Sequence, residues 1–227
     1  MILMKNSGNF LEDLTRNEKG QNLESRLVSA LKRLSLLEYS EKLVEYTEIY
    51  EWQKGGGETY IAAAMLGIEK GIESYERSFI SKAVVTLSVD LTIKNMLRRK
   101  ELLESEGVKA PKIYSVSEGC IYQELIPYSI DEAVKLGRFG DKLFDDLIFI
   151  ASQVDKLGFV SLNFIGDLRT DLKDVYYTDF GFDLGEPNPG VVSDEAYNRL
   201  LRFIAQNRRF QNKEKYTEIA YRELLKI

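Results

Sequence analysis

The segment from Leu43 to Trp52 constrains the fold most, because it has the pattern of a strand and runs into a cluster of glycines. Two sets of side chains alternate along it: Val44, Tyr46, Tyr50 and Trp52 against Glu45, Thr47, Ile49 and Glu51. A period of two is typical of a β-strand. Gly55, Gly56 and Gly57 follow, and residues 59–66 have strand character again. The sequence therefore predicts a hairpin that turns at the glycines.

The pattern continues with a third strand and a helix. Residues 67–77 are predicted to form a turn-rich linker, and residues 79–87 a strand with Lys82 near its middle. Residues 89–106 have helical spacing that ends at Gly107. Before the hairpin, leucines three or four residues apart predict helix over residues 9–42.

The second half of the chain has more helix than strand. Strands are predicted over 108–116 and 120–127, and a short hairpin over 160–178. The helices are predicted over 129–136, 139–156, 193–206 and 213–226. This order is typical of an α+β protein. We expect a helical extension over 1–42, a β-rich lobe with one helix over 43–127, and a mostly helical lobe over 128–227.

Composition narrows the chemistry. The 227 residues include no histidine and a single cysteine, Cys120, which excludes histidine bases, the usual zinc sites and an internal disulfide. The net charge of −5 argues against a nucleic-acid partner. No apolar run is long enough to span a bilayer and no secretory signal is recognisable, so we expect a cytoplasmic protein without membrane partners.

An aromatic strand, Val175–Thr178, leads directly into Asp179-Phe180-Gly181. A carboxylate at the end of a strand is a hard oxygen ligand suited to Mg²⁺. The following aromatic residue can pack beneath the acid, and glycine lets the chain turn away. The sequence predicts a magnesium-binding position at Asp179.

Together, these segments resemble the protein-kinase-like superfamily, including aminoglycoside and choline phosphotransferases and small bacterial effector kinases. Residues 108–127 look like the strands that lead to a kinase hinge, and Leu157-Gly158-Phe159-Val160 looks like the approach to a catalytic loop. The resemblance implies a two-lobed kinase-like fold with a reduced C-lobe. It also implies ATP and Mg²⁺ as cofactors and a protein or small-molecule phosphoacceptor.

The resemblance assigns roles in ATP binding. The glycines at 55–57 would cover the phosphates, although glycine is equally favoured in a plain hairpin turn. Lys82 would neutralise the α- and β-phosphates, or else reach solvent from an edge strand. Glu124 would offer a carbonyl to adenine and Ile126 an N–H group.

A helix glutamate should support that lysine. Glu101 lies 19 residues after Lys82 and in line with Leu97 on the predicted helix, so it could face inward. Asp90 and Glu104 are the alternatives. A solvated glutamate in a charged run is the competing interpretation.

The catalytic loop departs from the family pattern. One alignment puts Ser161 where histidine is usual and Asn163 where the catalytic aspartate is usual; a second makes Asn163 a metal-binding amide and leaves Gly158 at the aspartate position. Asp167 and Asp155 are the nearest substitutes for the missing base, and Asp167 is alternatively a second metal ligand. Three hypotheses remain within the family: an atypical kinase, an enzyme that transfers another part of ATP, and a nucleotide-binding pseudokinase that acts as an interaction module. A fourth is an unrelated fold in which Asp-Phe-Gly is coincidence.

Overall fold

The structure is a computed structural model. It describes the backbone of residues 3–5 and, in full, residues 9–55, 58–188 and 190–226. The protein divides into two compact units: unit 1 contains residues 1–93 and 112–125, and unit 2 contains residues 94–111 and 126–227. The predicted α+β class is confirmed, with a mainly antiparallel sheet towards the N-terminus and helices towards the C-terminus.

Unit 1 is built on a six-stranded sheet with the strand order β1-β2-β3-β4-β6-β5. The strands are β1 (Leu3–Lys5), β2 (Lys42–Lys54), β3 (Thr59–Lys70), β4 (Glu73–Val84), β5 (Ile113–Ser117) and β6 (Cys120–Glu124). β1 runs parallel to β2, and all other neighbours are antiparallel. Helix α3 (Val89–Ser105) lies between β4 and β5 in the chain and continues into unit 2.

Strand β2 is irregular, which explains its imperfect alternation. Its register against β3 shifts between Glu48 and Tyr50. Glu48 precedes this bulge and lies two residues after the buried Tyr46, so alternation alone buries Glu48 and exposes Ile49. The buried Glu48 carboxylate accepts the backbone N–H of Leu11 at 3.0 Å, at the start of helix α1 (Asn9–Thr15). A negative charge there stabilises the helix.

Helix α1 and helix α2 (Leu23–Arg33) share a hydrophobic core with the sheet. The predicted helical stretch 9–42 is thus two helices, separated because Asn22 caps α2 by accepting the N–H of Ser25 at 2.9 Å. The core contains helix and strand residues together: Phe10, Leu14, Leu27, Leu31, Tyr46, Ala62, Leu66, Phe79 and Tyr122. The N-terminal helices therefore pack as part of unit 1.

The predicted linker over 67–77 is wrong, because β3 and β4 continue through it and turn only at Gly71. Backbone pairing runs without a break from Gly67 opposite Glu76 to Lys70 opposite Glu73. These residues are mostly polar because this end of the hairpin is largely exposed. Strands were predicted from the alternation of apolar and polar residues, and an exposed strand end does not need that alternation.

Unit 2 contains the rest of α3, four more helices and a small antiparallel sheet of order β7-β8-β9. The strands are β7 (Tyr128–Ser129), β8 (Leu168–Thr170) and β9 (Val175–Tyr177). The helices are α4 (Ile130–Lys135), α5 (Asp141–Lys156), α6 (Glu195–Gln206) and α7 (Lys213–Leu224). Within the described residues, no helix is both long and apolar enough to cross a membrane.

Two residues near the end of α5 have structural tasks. Asp155 is fully buried, and its carboxylate accepts the N–H groups of Ala196 and Tyr197 at 3.0 and 3.2 Å, which caps α6. Gly158 follows α5 with a φ of +70°, a conformation that favours glycine, and an added Cβ would lie 2.4 Å from the carbonyl oxygen of Asn188. The carboxylate of Asp155 is therefore engaged in capping α6, and Gly158 offers no side chain that could act as a base.

Candidate metal and phosphate site

Two aspartates, Asp167 and Asp179, lie at the same end of the β8–β9 hairpin. Leu168 is paired with Tyr177, and one residue further the N–H of Thr178 donates to the carbonyl of Asp167 at 2.8 Å. The Thr178 hydroxyl donates to the same carbonyl at 2.9 Å. Asp167 therefore lies just before β8, and Asp179 lies two residues after β9 at the same hairpin end.

Asp167 is held by a buried hydrogen-bond network. Its side chain is 1% exposed, and its Oδ2 accepts from the Tyr177 hydroxyl at 3.0 Å. The Ser161 hydroxyl lies 3.2 Å from the same Tyr177 oxygen. Burial raises the pKa of Tyr177 well above its usual value, so the phenol stays protonated. Its single proton goes to Asp167, which leaves Ser161 as the donor to the phenol oxygen.

The side-chain amide of Asn163 completes this network. Its Nδ2 donates to Oδ1 of Asp167 at 3.2 Å, and its backbone carbonyl accepts the Asp167 N–H at 3.0 Å. The amide packs against Gly166, where an added Cβ would come within 2.4 Å of it. Glycine at this position gives the amide the space that it needs beside Asp167.

Arg99 of α3 binds the backbone directly after Asp179. The arginine is 5% exposed, and its Nη1 donates to the carbonyls of Phe180 and Gly181 at 3.0 and 2.8 Å. Its Nη2 donates to Oε1 of Glu186 at 2.6 Å. The guanidinium thus fixes the turn that leaves Asp179 and places a positive charge beside that turn.

Phe180 and Gly181 of the tripeptide make local contacts around the turn. Phe180 is buried, and its ring centroid lies 5.5 Å from that of Tyr177. The Gly181 N–H donates to Oδ1 of Asp179 at 3.3 Å. The aromatic ring anchors the turn while the Asp179 carboxylate stays partly exposed.

In unit 1, Lys82 lies on β4, opposite Ile61 of β3 and Ile121 of β6, and is 9% exposed. It is therefore on an interior strand, and the edge-strand alternative is wrong. The Gly55 N–H donates to the Thr59 carbonyl at 2.9 Å and closes the hairpin. Gly56 and Gly57 lie outside the described residues.

Glu101 is exposed, so the expected inward orientation is wrong. The buried face of α3 instead carries Ile93, Met96, Arg99 and Leu103. The two alternatives for the helix glutamate, Asp90 and Glu104, are exposed as well.

The two residues predicted to meet adenine lie at the end of β6. The Glu124 N–H donates to the Lys112 carbonyl at 2.8 Å in unit 1. In unit 2, the Ile126 carbonyl accepts from Nε of Arg169 at 2.7 Å. Contacts of these residues with a nucleotide stay a prediction.

The oxygen atoms at the hairpin end suit a hard cation. Asp167 and Asp179 supply carboxylates and Asn163 an amide oxygen, and Mg²⁺ is commonly held by one or two carboxylates together with waters and phosphates. In the part of the chain that the structure describes, no group of three or more acidic, cysteine or histidine side chains could hold a metal by itself. A magnesium ion here would need phosphate oxygens or water to complete its shell.

Sequence reasoning missed Arg99 and Tyr177. Arg99 stands in a charged run, Arg98 to Glu101, which suggested a solvated surface. Its position three residues after Met96 and four before Leu103 is the signal that places it on the buried face. For Tyr177, alternation along β9 indicates an inward direction but not the partners across the hairpin.

Comparison with known proteins adds no relative: no protein-family model matches the chain, and no curated protein matches it.

Proposed function

We propose that the protein is an ATP- and Mg²⁺-dependent phosphotransferase of the kinase fold that acts on a hydroxyl group of a protein or small molecule. The order of elements in unit 1 supports this: a hairpin with glycines at its turn, a third strand that carries Lys82, and then helix α3. A glycine-rich loop, a strand lysine and a following helix are the phosphate-binding parts of protein kinases, in that order.

The convergence of Asp167 and Asp179 at one end of the β8–β9 hairpin carries the proposal. Asp179 is the primary metal ligand, with Arg99 and Phe180 holding its turn in place. Asp167 is the second ligand: hydrogen bonds from Asn163 and Tyr177 fix its carboxylate, and each of its oxygens keeps a further lone pair for the metal. Bound Mg²⁺ would neutralise charge on the phosphates.

The remaining residues would bind the phosphates of ATP, which are negatively charged. Lys82 neutralises the α- and β-phosphates, and the glycines at 55–57 approach them through backbone N–H groups. No carboxylate stands at Ser161 or Asn163, where the base is expected. Phosphoryl transfer depends mainly on positioning and charge neutralisation, so the missing base would cost about 10²- to 10⁴-fold in rate.

The test is a calorimetric titration with ATP, with and without Mg²⁺, on the wild type and two variants. Asp179→Asn removes the proposed ligand charge. Asp183→Asn makes the same change at an exposed acid four residues further along. We expect Mg²⁺-dependent binding that Asp179→Asn weakens at least tenfold and Asp183→Asn leaves unchanged. Equal affinities in all three proteins would refute the assignment of Asp179.

A pseudokinase is the second candidate, and the residues at 161 and 163 favour it. Neither a serine nor an asparagine accepts a proton at neutral pH. Incubation with ATP and Mg²⁺, followed by chromatography of the nucleotides and mass spectrometry of the protein, separates the candidates. ADP or AMP formation that Asp179→Asn abolishes supports an enzyme. Tight binding without turnover or modification supports the pseudokinase.

A further inference from the structure

A cavity of about 360 Å³ lies in unit 1 between helix α1 and one end of the sheet. This volume is within the range of small-molecule sites. The residues that line it belong to α1, to β2 and β3 next to the glycine turn, to β4 and to the β5–β6 hairpin. None of them has a role in the ATP and Mg²⁺ binding proposed above, so the cavity is a separate feature.

The sheet register explains why the cavity exists. Ala83 on β4 is paired with Tyr60 on β3 and with Cys120 on β6. Paired residues of neighbouring strands project from the same face, so two small side chains form a floor beside the Tyr60 ring. Trp52 and Tyr122 also line the cavity. The lining therefore combines small residues with three aromatic side chains.

Two carboxylates are fixed next to these rings. The indole Nε1 of Trp52 donates to Oδ2 of Asp13 at 2.9 Å, and the Phe10 ring packs edge-on against Trp52 at 5.2 Å. On the β5–β6 turn, Oε2 of Glu118 accepts from the Asn17 amide at 3.0 Å. Asp13 and Glu118 both line the cavity. One hydrogen bond therefore holds Asp13 at the Trp52 indole, and another holds Glu118 at Asn17.

The charges of the lining favour a positive ligand. Arg16 is the one cation among the lining residues; it pairs with Asp13, but its side chain is 72% exposed. Arg33, which is not part of the lining, lies 3.6 Å from Glu118. Each acid thus already has an arginine partner, but both ion pairs are exposed, and exposed ion pairs are weak enough for a ligand cation to replace. Aromatic faces attract cations as well, most strongly when the cation carries an organic ammonium group that sheds water easily.

We propose that this cavity is a binding site for a small organic cation, with Trp52, Tyr60 and Tyr122 contacting its apolar surface and Asp13 and Glu118 its charge. A neutral flat molecule could use the rings alone and would gain nothing from the two carboxylates. An inorganic cation could use the carboxylates alone and would gain little from the rings. An alkylated ammonium group uses both parts of the lining.

The protein carries its own reporters of this site, because Trp52 is its only tryptophan and Cys120 its only cysteine. Both line the cavity. Burial raises the pKa of the Cys120 thiol, so alkylation is slow enough to time. Tryptophan emission and thiol alkylation thus report occupancy through two unrelated signals, and neither requires activity.

The experiment titrates the full chain with tetramethylammonium chloride while following Trp52 emission. Sodium chloride at the same ionic strength controls for screening, and tert-butanol serves as a neutral molecule of similar size. We expect a saturable emission change with tetramethylammonium only, and alkylation of Cys120 by iodoacetamide slowed at least threefold at saturation. No saturable change, or the same change with tert-butanol, would overturn the proposal.

Charge-removing variants localise the effect. Asp13→Asn and Glu118→Gln keep a hydrogen-bond acceptor, so the local structure should persist while the affinity falls about three- to tenfold. Glu12→Gln removes the same charge from an exposed neighbour on α1 that does not line the cavity, and it should leave the affinity unchanged. An equal loss in all three variants would mean that overall charge, and not this cavity, attracts the cation.

Discussion

An arginine is largely buried in each unit, and the two solve the problem of a buried charge differently. In unit 1, Arg77 donates to both oxygens of Glu41 at 3.0 and 2.9 Å, and that carboxylate is itself buried. In unit 2, Arg99 donates to two backbone carbonyls, and its carboxylate partner Glu186 is half exposed. Arg77 therefore has a buried carboxylate partner and one carbonyl, that of Leu36, whereas Arg99 has a half-exposed carboxylate partner and two carbonyls.

Under the proposed function, the difference would separate a structural ion pair from a group that positions a metal ligand. Glu41 and Arg77 connect the loop after α2 to strand β4, and their charges cancel there. Arg99 fixes the turn after Asp179, and its carboxylate partner is exposed enough to exchange with water or a ligand. A buried charge costs free energy unless it is matched, and the half-exposed partner of Arg99 leaves its match more open to solvent. We expect substitutions at Glu41 to change stability alone and those at Arg99 to change stability and Mg²⁺-dependent binding together.

The largest stability effect should come from Glu41→Gln. Removing one partner of a buried ion pair leaves the other charge unmatched, which costs about 3 kcal/mol in the free energy of unfolding. Urea denaturation followed by Trp52 emission measures this, because Trp52 belongs to unit 1. Lys42→Gln at the adjacent exposed pair with Glu69 is the control, with an expected loss below about 1 kcal/mol.

Glu41 also predicts a pH dependence. Burial opposes its ionisation, but hydrogen bonds from Arg77, the Glu38 N–H and the Tyr75 hydroxyl outweigh burial and lower its pKa to about 2. A lowered folded-state pKa gives stability that is complete above the unfolded pKa of about 4.5 and disappears as the pH falls towards 2. The difference between wild type and Glu41→Gln should therefore shrink across that range. A constant difference would show that the carboxylate charge is not the source.

The second effect in size is Arg99→Met, compared with Arg98→Met. Both arginines contact Glu186, but Arg99 is buried and Arg98 is half exposed. Loss of Arg99 leaves two carbonyls without their donor, which should cost about 2 kcal/mol, whereas Arg98→Met should cost below about 1 kcal/mol. Denaturation followed by circular dichroism gives both values.

A second measurement on the same variants tests function. If Arg99 holds the turn after Asp179, Arg99→Met should also weaken Mg²⁺-dependent ATP binding, measured by calorimetry at a temperature where both variants are folded. Arg98→Met should not. Equal ATP affinities in the two variants would reduce Arg99 to a structural role like that of Arg77.

The two units also differ in how much of them could be predicted from the sequence. In unit 1, the period of two along Val44 to Trp52 and the glycines after it identified strands β2 and β3, because alternation is a local property. The strand segments on either side of Gly71 were missed because their exposed end carries few apolar residues. Pairing there depends on backbone hydrogen bonds with the neighbouring strand. Such bonds do not require particular side chains, so the composition does not reveal them.

In unit 2, the sequence marked Asp179 as a candidate metal ligand but did not indicate the groups that hold the turn after it. Arg99 is separated from Phe180 by 81 residues, and the charged residues around it do not indicate that it would bind a backbone carbonyl. The alignment left Asp167 open between base and metal ligand, and it could not show that Asn163 and Tyr177 would donate to its carboxylate. Both cases depend on long-range contacts, which a periodic pattern does not encode.

The smallest expected effect on stability comes from two tyrosines, Tyr177 in unit 2 and Tyr75 in unit 1, each of which donates a hydrogen bond to a carboxylate. Tyr177→Phe removes the donor to Asp167 and the acceptor for Ser161 in a fully buried position, which should cost about 1 to 2 kcal/mol. Tyr75→Phe removes a donor to Glu41 at a partly exposed position where Arg77 and a backbone N–H remain bound, so its cost should stay within about 0.5 kcal/mol. Denaturation followed by circular dichroism compares them. Because the Asp167 carboxylate would be freer to reorient in Tyr177→Phe, Mg²⁺-dependent ATP binding should weaken in that variant alone; a loss in Tyr75→Phe of the same size would remove the distinction between the two regions.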